Sequence, residues 1–228
     1  GRTTSRRAGP VTAADQLILD LSVRQAQGRA NFLVTGSNAD AVAWLEQWPD
    51  WPGHALCLYG PKGCGKSHLL HLWCMRTNAR RIALEQLNDA SVLELAAHGA
   101  VALDDAVTPQ GTIMAMEPLL HLYHLLREQG GYLLLTARRP PRQWQVPLAD
   151  LRSRLMAAPT VGIQLPDDQL LVAVMAKMFA DRQVLVGPGV LSYVASRIER
   201  SFGAAAAAVI NLDRTSLSGQ RPITVPLA

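Results

Sequence analysis

Lysine is nearly absent from this chain: of 22 basic residues only Lys62, Lys66 and Lys177 are lysines, the rest being arginine. A lysine inside a recognisable motif therefore carries more information than usual. Cysteine is scarce and odd in number. Cys57, Cys64 and Cys74 form no C-x-x-C pair, which argues against a disulfide framework or a zinc ribbon and fits a reducing cytoplasm. Long apolar runs are missing too. The stretch after Arg2, Arg6 and Arg7 is short and broken by Asp20, too little for a signal peptide or a membrane span. Charged residues are only 18% of the chain against 49% apolar ones, which excludes a collagenous, coiled-coil or tail-like polymer. The 228 residues suffice for one large or two small domains with a buried core. A formal charge of +4 hints at anionic partners, nucleotide or nucleic acid, without choosing between them.

The chain has a clear grammar after its first residues. Residues 1–14 are small, polar and basic without a period and read as a flexible arm. A helical pattern opens at Ser37 and is stopped by Pro49, Pro52 and Gly53; the apolar run Ala55–Tyr59 then reads as a buried strand. A helix is expected from Lys66 to Arg76. Strands are expected near 81–84, 100–104, 132–136 and 161–164, with helices near 90–97, 118–129 and 147–157 between them. Apolar strands alternating with amphipathic helices predict an α/β fold, a parallel five-stranded sheet flanked by helices. Beyond Pro166 the strands cease, and helical segments near 167–181, 188–199 and 201–213 predict a small all-α lid subdomain. The expected division is an arm at 1–25, a nucleotide-binding domain at 26–165 and the lid at 166–228. The run Ala204–Ala208 reads as a tightly packed helix, alanine being the best helix former.

Gly60-Pro61-Lys62-Gly63-Cys64-Gly65-Lys66-Ser67 matches G-x-x-x-x-G-K-[ST] between a predicted strand and a predicted helix. Glycines let the backbone curl so that successive N–H groups face phosphate oxygens, and the helix N-terminus adds its positive end. Lys66 would neutralise β/γ charge, and Ser67 would offer a hydroxyl to Mg²⁺. Cys64 sits where a helix terminus favours a thiolate, although a small tolerated residue is the simpler reading. The strand Ala100–Leu103 ends in Asp104 and Asp105, a Walker B arrangement in which Asp104 would hold the Mg²⁺ shell and Asp105 would polarise an attacking water. Thr136, ending another strand, is positioned to reach the γ-phosphate or that water. His121 and His124 lie three apart but have no acid or cysteine cluster to complete a metal site. Trp44, Trp48 and Trp51 are expected to pack the first helix onto the sheet.

These residues resemble the DnaA-type initiator branch of the AAA+ ATPases, in particular its shortened regulatory members of the Hda (HdaA) type. The resemblance runs from about Gln16 to the C-terminus and lies in Asn31–Asn38 ahead of the P-loop, Leu58–His71, the double aspartate, and Thr136–Pro140, which looks like sensor 1. It implies an AAA+ P-loop NTPase binding ADP or ATP with Mg²⁺. Phe32 would border the adenine, and Gly60, Lys62, Gly63, Cys64, Gly65, Lys66, Ser67 and His68 would surround the phosphates. Leu151–Leu155 resembles Box VII, making Arg154 the candidate arginine finger acting across a subunit interface. Arg200 falls where sensor 2 places a lid arginine on the nucleotide. Gln16, Leu17, Leu19 and Leu21 resemble the peptide by which replication proteins dock into the bacterial DNA sliding clamp; an extended segment with one amide and alternating leucines suits an apolar cleft.

The implied function is a clamp-bound, ADP-bound adaptor that stimulates hydrolysis of ATP on the initiator and so switches off replication initiation, in the bacterial cytoplasm near the replisome. A homo-oligomer is a further implication of an in-trans finger. With no helix-turn-helix pattern after the lid, direct sequence-specific DNA binding is not expected. The competing reading is a stand-alone AAA+ ATPase resembling a helicase loader. A truncated DNA-binding initiator ranks third.

Overall fold

The computed structural model describes residues 33–108, 110–219 and 222–225. The arm with Gln16, Leu17, Leu19 and Leu21, and Phe32, lie outside the described residues.

Helix α1 (Ala39–Glu46) precedes strand β1 (Ala55–Tyr59). Then follow α2 (Lys66–Thr77), β2 (Arg80–Ala83), α3 (Asp89–Ala97), β3 (Ala100–Asp104), α4 (Met116–Glu128), β4 (Tyr132–Ala137), α5 (Ala149–Ala157) and β5 (Thr160–Gly162). The strands form one five-stranded parallel sheet in the order β2-β3-β4-β1-β5. Parallel neighbours need crossovers, and α2 to α5 supply them. The strand order reverses between β1 and its flanks, and in open α/β sheets ligands bind at the carboxyl ends of strands beside such a reversal.

Period-two alternation splits the strand side chains between two cores. Ala55, Cys57, Val101, Leu103, Leu133 and Leu135 pack on one face with Val92, Leu95, Leu119, Leu122, Leu126 and Leu151 from α3, α4 and α5. Leu56, Leu58, Ala100, Ala102 and Leu134 pack on the other with Ala41, Val42, Leu45, Leu69, Leu70 and Trp73 from α1 and α2. Burial on both faces is why these strands read as nearly continuous apolar runs.

The tryptophans anchor α1 as expected. Trp51 stacks on Trp73 with ring centroids 5.3 Å apart and donates its indole N–H to the Trp44 carbonyl at 2.6 Å. Trp48 meets Trp73 edge-on at 6.4 Å.

Helices α6 (Asp168–Asp181), α7 (Pro188–Ala195) and α8 (Phe202–Gly219) build the lid. They share a separate core of Leu171, Met175, Phe179, Leu191, Val194, Ala205, Val209 and Leu212. Asp167 caps α6, its carboxylate accepting from the Leu170 N–H at 2.7 Å. Helix α7 ends at Ala195, four residues earlier than the sequence pattern predicts to 199, while α8 runs on to Gly219 rather than 213. Ala205, Val209 and Leu212 pack α8 into the lid core, and the helix runs on past them towards solvent.

Candidate nucleotide site

The segment 60–67 leaves β1 at the carboxyl edge of the sheet and enters α2. Gly63 and Gly65 have φ of +83° and +98°, the left-handed region that favours glycine. Lys66 is buried to 7% exposure, and its Nζ donates to the carbonyls of Gly60 at 2.8 Å and Pro61 at 2.9 Å. Its Nζ also lies 3.8 Å from Cys64 Sγ. Burial pushes the Cys64 thiol pKa up, and the opposing pull of Lys66 does not reverse this, so Cys64 is a protonated small residue and not a thiolate. Burial, followed by the neighbouring His71, lowers the pKa of His68 and favours neutral imidazole.

Asp104 ends β3 beside the loop. Its Oδ1 accepts from Ser67 Oγ at 3.1 Å and from Thr136 Oγ1 at 2.8 Å. Thr136, fully buried at the end of β4, also accepts the Asp105 N–H at 2.9 Å. The threonine hydroxyl therefore faces the acid pair and holds it in place, instead of lining the cavity. Asp105 turns outward with φ of 49°, a left-handed conformation aspartate tolerates, and reaches the cavity wall.

That cavity, of about 310 Å³, is lined by Lys62, Gly63, Gly65, Lys66, Ser67, His68, Asp105, Arg138 and Phe202. Six of the predicted loop residues and one of the acids thus meet in one place. The lid contributes Phe202, whose N–H donates to the Gly63 carbonyl at 3.4 Å. Arg138 and Phe202 had no role in the sequence reading. Arg138 adjoins Thr136 in the strand-end stretch, so proximity to a strand tip was its available signal; Phe202 had none.

A second, narrower cavity of about 30 Å³ adjoins the first, between Leu33, Asn38, Leu69, Leu72, Leu170, Val174 and Phe202. Asn38 sits at its edge with its amide donating to the Leu33 carbonyl at 2.8 Å. The apolar walls suit a flat ring. A benzene-sized guest needs about 150 Å³, more than this cavity offers as it stands.

Two predicted arginines stand apart from the cavity lining. Arg200 pairs with Asp168 at 3.1 Å at the start of α6, with 59% of its side chain exposed. It would have to leave Asp168 to reach a phosphate. Arg154 on α5 points to Asp150, Nε to Oδ1 at 3.1 Å, and is partly exposed. The other Asp150 oxygen lies 3.3 Å from His124 Nε2, a buried atom with no hydrogen bond among the described residues. No group of three or more His, Cys, Asp or Glu residues able to hold a metal occurs among the described residues. A Mg²⁺ here would instead need the ligand's own oxygens with Ser67 and Asp104, and the hydroxyl–carboxylate pair has the oxygen chemistry for it.

Sheet order, P-loop and helical lid together define a protein of the AAA+ P-loop fold. No model of a known protein family matches the chain. In sequence it is similar to chromosomal replication initiator proteins named DnaA. That of Cutibacterium acnes is 24% identical over 220 residues, covering 87% of this chain and 44% of that protein; that of Corynebacterium jeikeium is 26% identical over 220 residues, covering 87% and 38%. The chain therefore spans less than half the length of these curated relatives. Among solved structures, domain III of Thermotoga maritima DnaA superposes with a TM-score of 0.67 at 19% identity, covering 86% of this chain and 91% of that one. AMPPCP-bound DnaA from Aquifex aeolicus gives 0.64 at 17% identity, covering 82% and 65%. No helix among the described residues is long and apolar enough to cross a membrane.

Proposed function

We propose that this protein is a nucleotide-binding regulator of a DnaA-type initiator, of the Hda kind. The observation that carries the reading is the cavity of Lys66, Ser67 and Asp105 on an AAA+ sheet, in a chain whose sequence relatives are replication initiators. The loop N–H groups and Lys66 bind the phosphates of ADP or ATP, and the apolar slot beside Leu69 and Leu170 takes the base. Ser67 and Asp104 would hold Mg²⁺, which when bound shields phosphate charge. Arg154, on the surface of α5, serves as an arginine finger on a partner's nucleotide after leaving Asp150. The arm residues Gln16, Leu17, Leu19 and Leu21 dock on the sliding clamp. Arg200 contacts nucleotide only in a lid position that breaks its pair with Asp168.

Exposure of Asp105 at the cavity favours a second reading, a stand-alone ATPase acting as a loader, because a free carboxylate beside the phosphates can polarise water. One experiment separates the two. Purified protein is mixed with DNA-loaded clamp and ATP-bound initiator, and hydrolysis of the initiator's ATP is followed. The regulator reading requires stimulation that is lost in Arg154→Ala and loses clamp dependence in Gln16→Ala. Robust hydrolysis by the isolated protein, abolished in Asp105→Ala, with unchanged initiator hydrolysis, selects the loader.

A further inference from the structure

Asp104 has both carboxylate oxygens engaged before any ligand is considered. Ser67 and Thr136 donate to Oδ1, and Arg81 Nη2 donates to Oδ2 at 2.5 Å. The arginine reaches it by register. On β2, Arg81 pairs with Ala102 and Ala83 with Asp104, so Arg81 lies on the diagonal from Asp104 on the same face of the sheet, within reach of a long side chain. The side chains are 43% and 16% exposed, which places the pair at the rim of the phosphate site and not in the core.

The two hydroxyls on Oδ1 leave a cation free to bind, because the oxygen of Ser67 keeps its lone pairs. The guanidinium competes more directly. Mg²⁺ retains several of its waters, and these need a carboxylate oxygen as acceptor. Oδ2 is the atom of Asp104 without a hydroxyl on it, and Arg81 already takes one of its two acceptor positions. A second consequence is electrostatic. A carboxylate beside a polyphosphate is repulsive unless a cation lies between them, and arginine is a cation at every accessible pH. Arg81 therefore supplies to Asp104 the charge compensation that a metal would otherwise provide.

Resting on the nucleotide reading of the cavity, we propose that Arg81 sets the metal dependence of the site: by holding Asp104 Oδ2 it lets a nucleoside diphosphate bind nearly as well without Mg²⁺ as with it. The full chain is titrated with mant-ADP in excess Mg²⁺ and in excess EDTA, following fluorescence, and circular dichroism verifies the fold of each variant. The two wild-type affinities are expected to agree within about threefold, whereas Arg81→Gln separates them by about tenfold or more, chiefly by weakening binding in EDTA. Arg81→Lys keeps the positive charge and stays near wild type. A wild-type protein that already needs Mg²⁺ by about tenfold, or an Arg81→Gln ratio equal to the wild-type ratio, overturns the proposal while leaving the nucleotide site intact. Absence of mant-ADP binding under both conditions rejects the nucleotide reading itself, and the proposal with it.

Discussion

The ring of Phe202 lies so close to Gly65 that a Cβ at position 65 would come within 2.6 Å of its Cε2. The first residue of α8 is thus fitted to a bare backbone in the phosphate loop, and Ser201 is fitted to Gly63 in the same way, with its Cβ 2.7 Å from where a side chain would begin. The lid is placed by the glycines that also shape the loop. Gly65→Ala adds a clash to a φ of +98°, and the backbone strain alone costs about 1–3 kcal/mol. Urea unfolding should show a lower midpoint, and mant-ADP binding should be lost. A variant with wild-type stability and affinity would mean that the lid does not rest there.

Thr136 is expected to be a positioning residue. Thr136→Val keeps the shape but leaves the Asp105 N–H without its partner and removes a donor from Asp104. A loss of about 1–3 kcal/mol is expected in denaturant unfolding. Thr136→Ser retains the hydroxyl and should recover most of it. If Thr136→Val were as stable as wild type while hydrolysis alone fell, the hydroxyl would instead be acting on the nucleotide.

Breaking the Asp150–Arg154 pair should barely affect the fold. Both side chains are more than a third exposed and lie one helical turn apart, a setting in which such pairs contribute at most about 0.5 kcal/mol. Arg154→Ala should therefore unfold within about 0.5 kcal/mol of wild type and bind mant-ADP normally. A large loss of stability would reassign Arg154 to a structural role.

Alkali should destabilise the protein through two thiols, Cys57 on β1 and Cys74 on α2. Burial pushes the Cys57 thiol from 9.0 up to about 12 and Cys74 to about 11. Above pH 9 the unfolded thiols lose their protons while the folded ones keep them, so the folded state binds more protons and stability falls as pH rises towards those values. Each thiol adds a slope of up to about 1.4 kcal/mol per pH unit. Urea unfolding of wild type and Cys57→Ala between pH 9 and pH 11 tests this: the variant starts less stable but should show the shallower decline. Parallel declines would remove Cys57 as a source.

Much of the fold was legible because its signals are local. The strand segments 55–59, 100–103 and 132–135 are apolar, since helices cover both faces, and the turn between β1 and α2 carries its glycines in sequence. Helix ends in the lid were less legible. No residue at 195 or 213 announces that α7 stops at Ala195 or that α8 runs on to Gly219.

The chain alone determined the phosphate loop, since strand, glycines, lysine and serine are contiguous and their chemistry depends on backbone curvature within eight residues, Gly60 to Ser67. It also fixed the parallel α/β plan through hydrophobic periodicity. Only the tertiary structure decided what surrounds that loop. Arg81, Asp104 and Thr136 come from three separate strands and meet through sheet register, while Phe202 arrives from the lid and Arg200 is diverted to Asp168. Such partners are set by which elements pack together, and packing acts across distances that sequence spacing does not encode.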